Sequence, residues 1–283
     1  MSALGAFVLQ AVGELVLQEA LKRAASGTGR ISQVYNHVVH GEFKTLVIGP
    51  GGTGKSALGA MLTGQCKWGE CTQVYEPDFD SHESNVEELW FRKVTVAPGQ
   101  VAVENWKNSI NEISEARRAL IIYTSSFGYH SVLPQSKWQD EAKISGLNHD
   151  SLERFRGEFL AQRRQLEIEQ FSQFVQLWPK KARAKLYLVI APTKADLWWD
   201  QRVDILPWYH DKFGKALGVL GNHFPKGGFR KMIHPICLIK TSVVDRAEVE
   251  VFPSTFAFDQ KEAAQEYKQF RKVLTGILGL PRW

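Results

Sequence analysis

The sequence predicts a three-layer α/β fold, with helices on both faces of a mainly parallel sheet. Three observations carry that prediction. Short, wholly apolar runs at Leu46 to Ile48, Ala119 to Tyr123 and Leu186 to Ala191 suit strands buried on both sides. Helix-like stretches alternate with them along the chain. The first run also leads directly into Gly49-Pro50-Gly51-Gly52-Thr53-Gly54-Lys55-Ser56, which fits G-x-x-x-x-G-K-[ST] at each fixed position.

Composition leaves room for that fold. The 283 residues are 44% hydrophobic and 23% charged, which supports a sizeable core in one large domain or a core domain with additions. The formal charge of +5 is spread over Arg154 to Arg164, Lys180 to Lys185 and Lys226 to Lys231, with an acidic run from Glu76 to Glu88. Such a spread reads as solvated surface, and nucleic acid is not an expected partner. Cys66, Cys71 and Cys237 make no disulfide framework and suit a reducing compartment. The expected location is therefore cytoplasmic.

Residues 3–21 are mostly apolar, with Gln10, Glu14 and Gln18 in a narrow polar stripe of a helix. Glu14 at the centre weighs against a membrane span, and no basic stretch precedes it as in a cleaved signal. Packing on the body or on another copy, an interfacial membrane helix and a true span all stay open. Residues 24–30 read as a linker, so the expected division is 1–30 for helix and linker and 40–283 for the main domain.

After the phosphate loop, Ala57 to Leu62 continues as a helix whose N-terminus faces the same anion. Residues 65–88 read as a functional loop. A strand is expected from Trp90 to Ala97, a polar helix from Glu104 to Arg118 and a long polar loop from Ser125 to His149. An amphipathic helix follows from Ser151 to Trp178, with Leu152, Phe155, Phe159, Leu166, Phe171, Phe174 and Trp178 on one face, and Pro179 stops it. Further on, Pro235 to Lys240 reads as a strand ending at Thr241-Ser242, and Asp259 to Leu278 as the last helix.

The chemistry lies in the loops that follow the strands. Glycines let residues 51–57 fold into a nest of inward N–H groups, Lys55 places a charge on the β- and γ-phosphates, and Ser56 offers a hydroxyl to Mg²⁺. The T-K-x-D segment Thr193-Lys194-Ala195-Asp196 follows a buried strand. Asp196 would accept hydrogen bonds from the N1–H and 2-amino groups of guanine, which adenine lacks. Lys194 would lay its stem over the base, and Thr193 would tie this loop to the phosphate loop. Ser242 and Val243, after a later strand, would offer backbone N–H groups to guanine O6.

These motifs in this order resemble the Ras-like small GTPases of the P-loop superfamily, across roughly residues 43–280. The resemblance implies a P-loop NTPase fold of the Ras-like G-domain type, with GTP or GDP and Mg²⁺ as ligands. It rests on GPGGTGKS at 49–56, APGQ at 97–100, TKAD at 193–196 and TSV at 241–243. It implies that the Gly99 N–H senses a γ-phosphate, that Gln100 orients the attacking water with Lys55 in the catalytic set, and that Thr72 is a second Mg²⁺ ligand. Gly51 keeps open the space beside the γ-phosphate. In position, the N-terminal helix resembles the membrane-associated helix of Arf-like members. Val96 stands where the family has a metal-holding aspartate, so the chain departs from the family at the metal site. Two functions follow as expectations: a slow, partner-dependent GTPase switch with protein effectors, or a pseudo-GTPase scaffold that holds nucleotide without turnover.

Overall fold

Successive residues of the central strands alternate between two separate cores. A computed structural model describes residues 43–63, 65–69, 94–97, 104–129, 137–147, 151–180, 185–238 and 258–278. The expected N-terminal helix at 3–21, its linker and most of the loop at 65–88 lie outside them. Among the described residues five strands form one parallel sheet: β1 (Phe43–Ile48), β2 (Val94–Val96), β3 (Arg118–Ser125), β4 (Lys185–Pro192) and β5 (Phe229–Ile233), in the order β2-β1-β3-β4-β5.

Leu46, Ile48, Ile121, Tyr123, Leu188 and Ile190 point into one core, while Val47, Leu120, Ile122 and Val189 point into the other. A sheet apolar on both faces needs cover on both. Helices α1 (Lys55–Leu62) and α6 (Gln260–Leu278) cover one face through Leu58, Leu62, Phe270 and Leu274. The other face is covered by α2 (Glu104–Ser114), α4 (Leu152–Gln176) and α5 (Arg202–Gly221). There Tyr123 of β3 meets Phe171 edge-on at 4.9 Å, and Phe171 stacks on Phe213 of α5 at 4.2 Å. The three-layer α/β architecture is thus present.

The helix expected from Glu104 to Arg118 ends at Ser114, because Arg118 opens β3, and four further elements differ from the sequence reading. The loop after β3 contains a short helix, α3 (Trp138–Ile144), because Trp138 packs on Phe155 and Ala142 is buried. Helix α5 carries Pro207 and three glycines and has no clean sequence signal, yet Ile205, Tyr209, Phe213 and Leu217 bury its inner face. On α4 the inward lattice runs through Phe155, Phe159, Glu167, Phe171 and Phe174, so Glu167 takes the place expected for Leu166.

The fifth strand is Phe229–Ile233; of the strand expected over Pro235 to Lys240, residues 235–238 are irregular and the rest lies outside the described residues. Residues 234–238 continue beside β4 through the bonds His234 N–H to Ile190 O (2.9 Å) and Ile236 N–H to Pro192 O (2.8 Å), and Ile236 and Leu238 are buried in the core that α6 covers. Their apolar character records that burial. Among the described residues no helix is long and apolar enough to cross a membrane. Among the described residues Cys237 is a free, buried thiol.

Candidate functional site

Strand order reverses between β1 and β3, since β2 lies on one side of β1 and β3 on the other. In doubly wound sheets the ligand crevice opens at that reversal, beyond the carboxyl ends of the strands. The glycine-rich loop occupies this place, running from the end of β1 into α1. Three of its glycines have positive φ: Gly49 at 151°, Gly52 at 74° and Gly54 at 79°. Gly54 is the N-cap of α1 and offers no side-chain cap, so the first amides of the helix stay turned towards the loop.

Gly49 is demanded by contact as well as by φ. A Cβ there would lie 2.1 Å from Thr124 O and 2.6 Å from Thr124 Oγ1. Gly49→Ala is therefore expected to cost about 3 kcal/mol, a value set by backbone strain plus steric overlap. Urea unfolding of the unliganded protein checks this, and a midpoint equal to that of the unmutated protein would contradict it.

Inside the loop Lys55 is only 5% exposed and its Nζ donates to Pro50 O at 2.6 Å. Thr53 Oγ1 donates to the same carbonyl at 2.9 Å and shares a 2.7 Å bond with Thr124 Oγ1. Burial lowers the Lys55 ammonium from 10.5 to about 8. A desolvated cation with one carbonyl partner is poised to take an anion, because an anion restores the stabilisation lost with water.

The second loop follows β4. Thr193 Oγ1 lies 2.8 Å from both Thr53 O and Ser125 O, and the Thr193 N–H donates to Ser125 O at 2.8 Å. The tie between this loop and the phosphate loop is thus a direct hydrogen bond. Lys194 adopts the left-handed conformation, φ 56°, at the start of a 3₁₀ turn, Ala195–Leu197. The turn carries Asp196 inward to 1% exposure, where the Cys237 thiol lies 4.0 Å from Oδ1. Trp198 Nε1 closes the loop by donating to Thr193 O at 2.8 Å.

The structure therefore gathers Gly51, Gly52, Thr53, Gly54, Lys55, Ser56, Ala57, Thr193, Lys194 and Asp196 around one end of the sheet. Gly99, Gln100, Thr72, Ser242 and Val243 lie outside the described residues. Trp198, Trp199 and Tyr209 are core residues and Trp208 packs on Phe127 at 5.2 Å, so these aromatics do not form an open surface. Two contributors were not singled out in the sequence. Thr124 is one, marked only by the change from apolar to hydroxyl residues at the end of β3. Trp68 is the other: its Nε1 donates to Cys237 O at 2.7 Å, binding the chain after α1 to the segment beside Asp196.

Among the described residues Ser56 is the one expected Mg²⁺ ligand, and Thr72 lies outside them. Ser56 offers one hydroxyl, but Val96 at the end of β2 is buried and apolar, and Gly59 packs against it. Among the described residues no group of three or more His, Cys, Asp or Glu side chains could hold a metal.

No protein-family model matches the chain, and no curated protein matches it. Solved structures show distant likeness. One is the translation elongation factor SelB from Methanococcus maripaludis in complex with the GTP analogue GPPNHP, at 12% identity and a TM-score of 0.40, covering 86% of this chain and 35% of that one. Another is a mutation variant of SsGBP, at 11% identity and a TM-score of 0.33, covering 93% of this chain and 63% of that one. This chain thus spans about a third of the length of SelB and under two thirds of SsGBP. Likeness at this level carries no argument about function.

Proposed function

We propose that the chain binds a guanine nucleotide, with the phosphates in the loop at residues 51–57 and the base against Asp196. One observation carries this reading. The Thr193 hydroxyl joins Thr53 O to Ser125 O, fastening the phosphate loop and the base loop to the same end of the sheet. The two loops that this bond joins carry a buried cation, Lys55, and a buried carboxylate, Asp196. A triphosphate and a guanine present the complementary charges and donors.

Slow GTP hydrolysis extends the proposal, with Gln100 orienting the water and a partner in trans supplying an arginine, since no arginine of the chain is assigned that role. Effector binding and a docking role for residues 3–21 on a membrane or another copy are part of the same switch reading. The scaffold alternative is favoured by Val96, which supplies no carboxylate to a metal.

Titration with fluorescent GTP, GDP and ATP, with Mg²⁺ and with a chelator, tests the reading. Guanine nucleotides are expected to bind in preference to ATP. Chelation is expected to weaken GTP binding by less than about tenfold, because Lys55 and the loop amides hold the phosphates directly and the described residues add only the Ser56 hydroxyl to the ion. Preference for ATP would refute the assignment of Asp196. A collapse of affinity on chelation would show a metal site that the described residues do not contain.

A further inference from the structure

We propose that Glu167 is a positioning residue for the nucleotide site, acting through the turn that follows β3. This rests on the nucleotide-binding reading and adds a residue to it from a distant helix. Glu167 lies on the inward face of α4 with 0% exposure, at a lattice position where its neighbours are Phe159, Phe171 and Phe174. A carboxylate in such a place is costly unless it is fully hydrogen-bonded. Here it is: Oε1 accepts from Ser126 N–H at 2.7 Å, Gly128 N–H at 3.2 Å and Ser126 Oγ at 3.3 Å. Oε2 accepts from the Tyr209 hydroxyl at 3.1 Å, and that hydroxyl in turn accepts from Phe127 N–H at 3.0 Å. Burial and the adjacent carboxylate raise the Tyr209 phenol well above its ordinary value, which keeps it a donor.

Three successive amides thus converge on the Glu167–Tyr209 pair. The turn they belong to is a strained one. Phe127, a non-glycine, has φ 54° and Gly128 has φ 92°. A Cβ on Gly128 would lie 3.0 Å from Leu160 O, so the turn is pressed against α4. Arg164, one turn before Glu167, donates from Nε to Phe127 O at 3.1 Å, with its guanidinium carbon 3.6 Å from the Phe127 ring centre.

The turn begins one residue beyond the platform of the nucleotide site. Ser125 O receives the Thr193 N–H and shares the Thr193 hydroxyl with Thr53 O, and Thr124 bears on Gly49 and on Thr53 Oγ1. Movement of the Ser126 amide therefore moves the Ser125 carbonyl, and with it the joint between the phosphate loop and the base loop. A buried charge that takes two of these amides directly and the third through Tyr209 fixes that joint more tightly than a neutral side chain of the same shape.

The test compares Glu167→Gln and Tyr209→Phe with the unmutated protein by fluorescent GTP binding and by amide signals in ¹⁵N-labelled protein. Glu167→Gln keeps the shape and removes the charge. It is expected to fold, to lower GTP affinity about tenfold and to shift the amide signals of Ser126 and Gly128 together with those of Gly52 and Lys55. Tyr209→Phe is expected to change both readouts in the same direction and by less. Shifts confined to Ser126 and Gly128, with unchanged affinity, would make Glu167 a purely structural residue and overturn the proposal. If Glu167→Gln does not fold, Tyr209→Phe decides on the same readouts. Absence of GTP binding in the unmutated protein would instead overturn the nucleotide reading, and the proposal with it.

Discussion

Replacing Lys55 with alanine is expected to lower guanine-nucleotide affinity by at least about a hundredfold, the scale of losing a desolvated charge-assisted contact to phosphate. The unliganded protein should not lose stability in proportion. Lys55 is buried and its ammonium has one carbonyl partner, Pro50 O, so burial of its charge is itself a cost in the free state. The pH dependence separates the two effects. In the folded free protein Lys55 titrates near 8, against an ordinary lysine value of 10.5 in the unfolded chain. Below about 8 both folded and unfolded chains hold the proton and the burial cost is complete. Between about 8 and 10.5 the unfolded chain holds more protons, so the contribution of Lys55 to folding stability rises with pH. Binding runs the other way. A bound phosphate favours the ammonium and raises its pKa, so nucleotide affinity falls as pH rises above about 8. Titrations from about pH 6.5 to about pH 9.5, a window that brackets the depressed pKa, check both signs on the unmutated protein and on Lys55→Ala. Equal affinities for the two proteins would refute the role of Lys55, and a flat profile in the unmutated protein would refute its depressed pKa.

Much of this site is legible in sequence because it is local. Gly49 to Ser56 specify their own turn: positive φ at Gly49, Gly52 and Gly54 and the start of α1 are dictated within that short stretch. The T-K-x-D segment is legible because it follows an unbroken apolar strand. What sequence does not carry is what crosses the chain. The bond from Thr193 to Thr53 spans 140 positions and that from Trp68 to Cys237 spans 169. Glu167 is invisible to hydrophobic patterning because a charge on an apolar lattice reads as a break in the pattern, until the facing amides are seen. Periodicity over 151–178 prefers Leu166 for the same reason. The fifth strand misleads in the opposite sense. Phe229–Ile233 is an edge with Arg230, Lys231 and Met232 exposed, while the apolar run beyond it is buried under α6. Helix α5 shows tertiary packing overriding propensity, since Pro207 and its glycines disfavour a helix that Ile205, Tyr209, Phe213 and Leu217 hold in place.

Asp196→Asn is expected to remove the preference for guanine over adenine nucleotides, with GTP affinity falling about a hundredfold or more, as when a buried hydrogen-bond partner is mismatched. Asparagine has nearly the same shape, so the 3₁₀ turn at Ala195–Leu197 and the Trp198 bond to Thr193 O should persist. The effect on ATP should be small by comparison, because adenine lacks the donor pair that a carboxylate would accept. Selectivity, not overall affinity, is therefore the informative readout, and competition of GTP and ATP for one fluorescent nucleotide measures it. The environment sharpens the expectation. Asp196 is almost wholly shielded, so a base seated there would meet the carboxylate without competing water, and each unmatched donor would stay unsatisfied. The amide of asparagine offers one oxygen and one NH₂ in place of two carboxylate oxygens, so side-by-side pairing with the two guanine donors would set one donor against another. A variant that keeps the guanine preference intact would place the base elsewhere and reopen an adenine-nucleotide reading of the same phosphate loop. A variant that loses selectivity while Lys55→Ala loses affinity for both nucleotides would assign base and phosphate to opposite ends of one crevice, joined through Thr193.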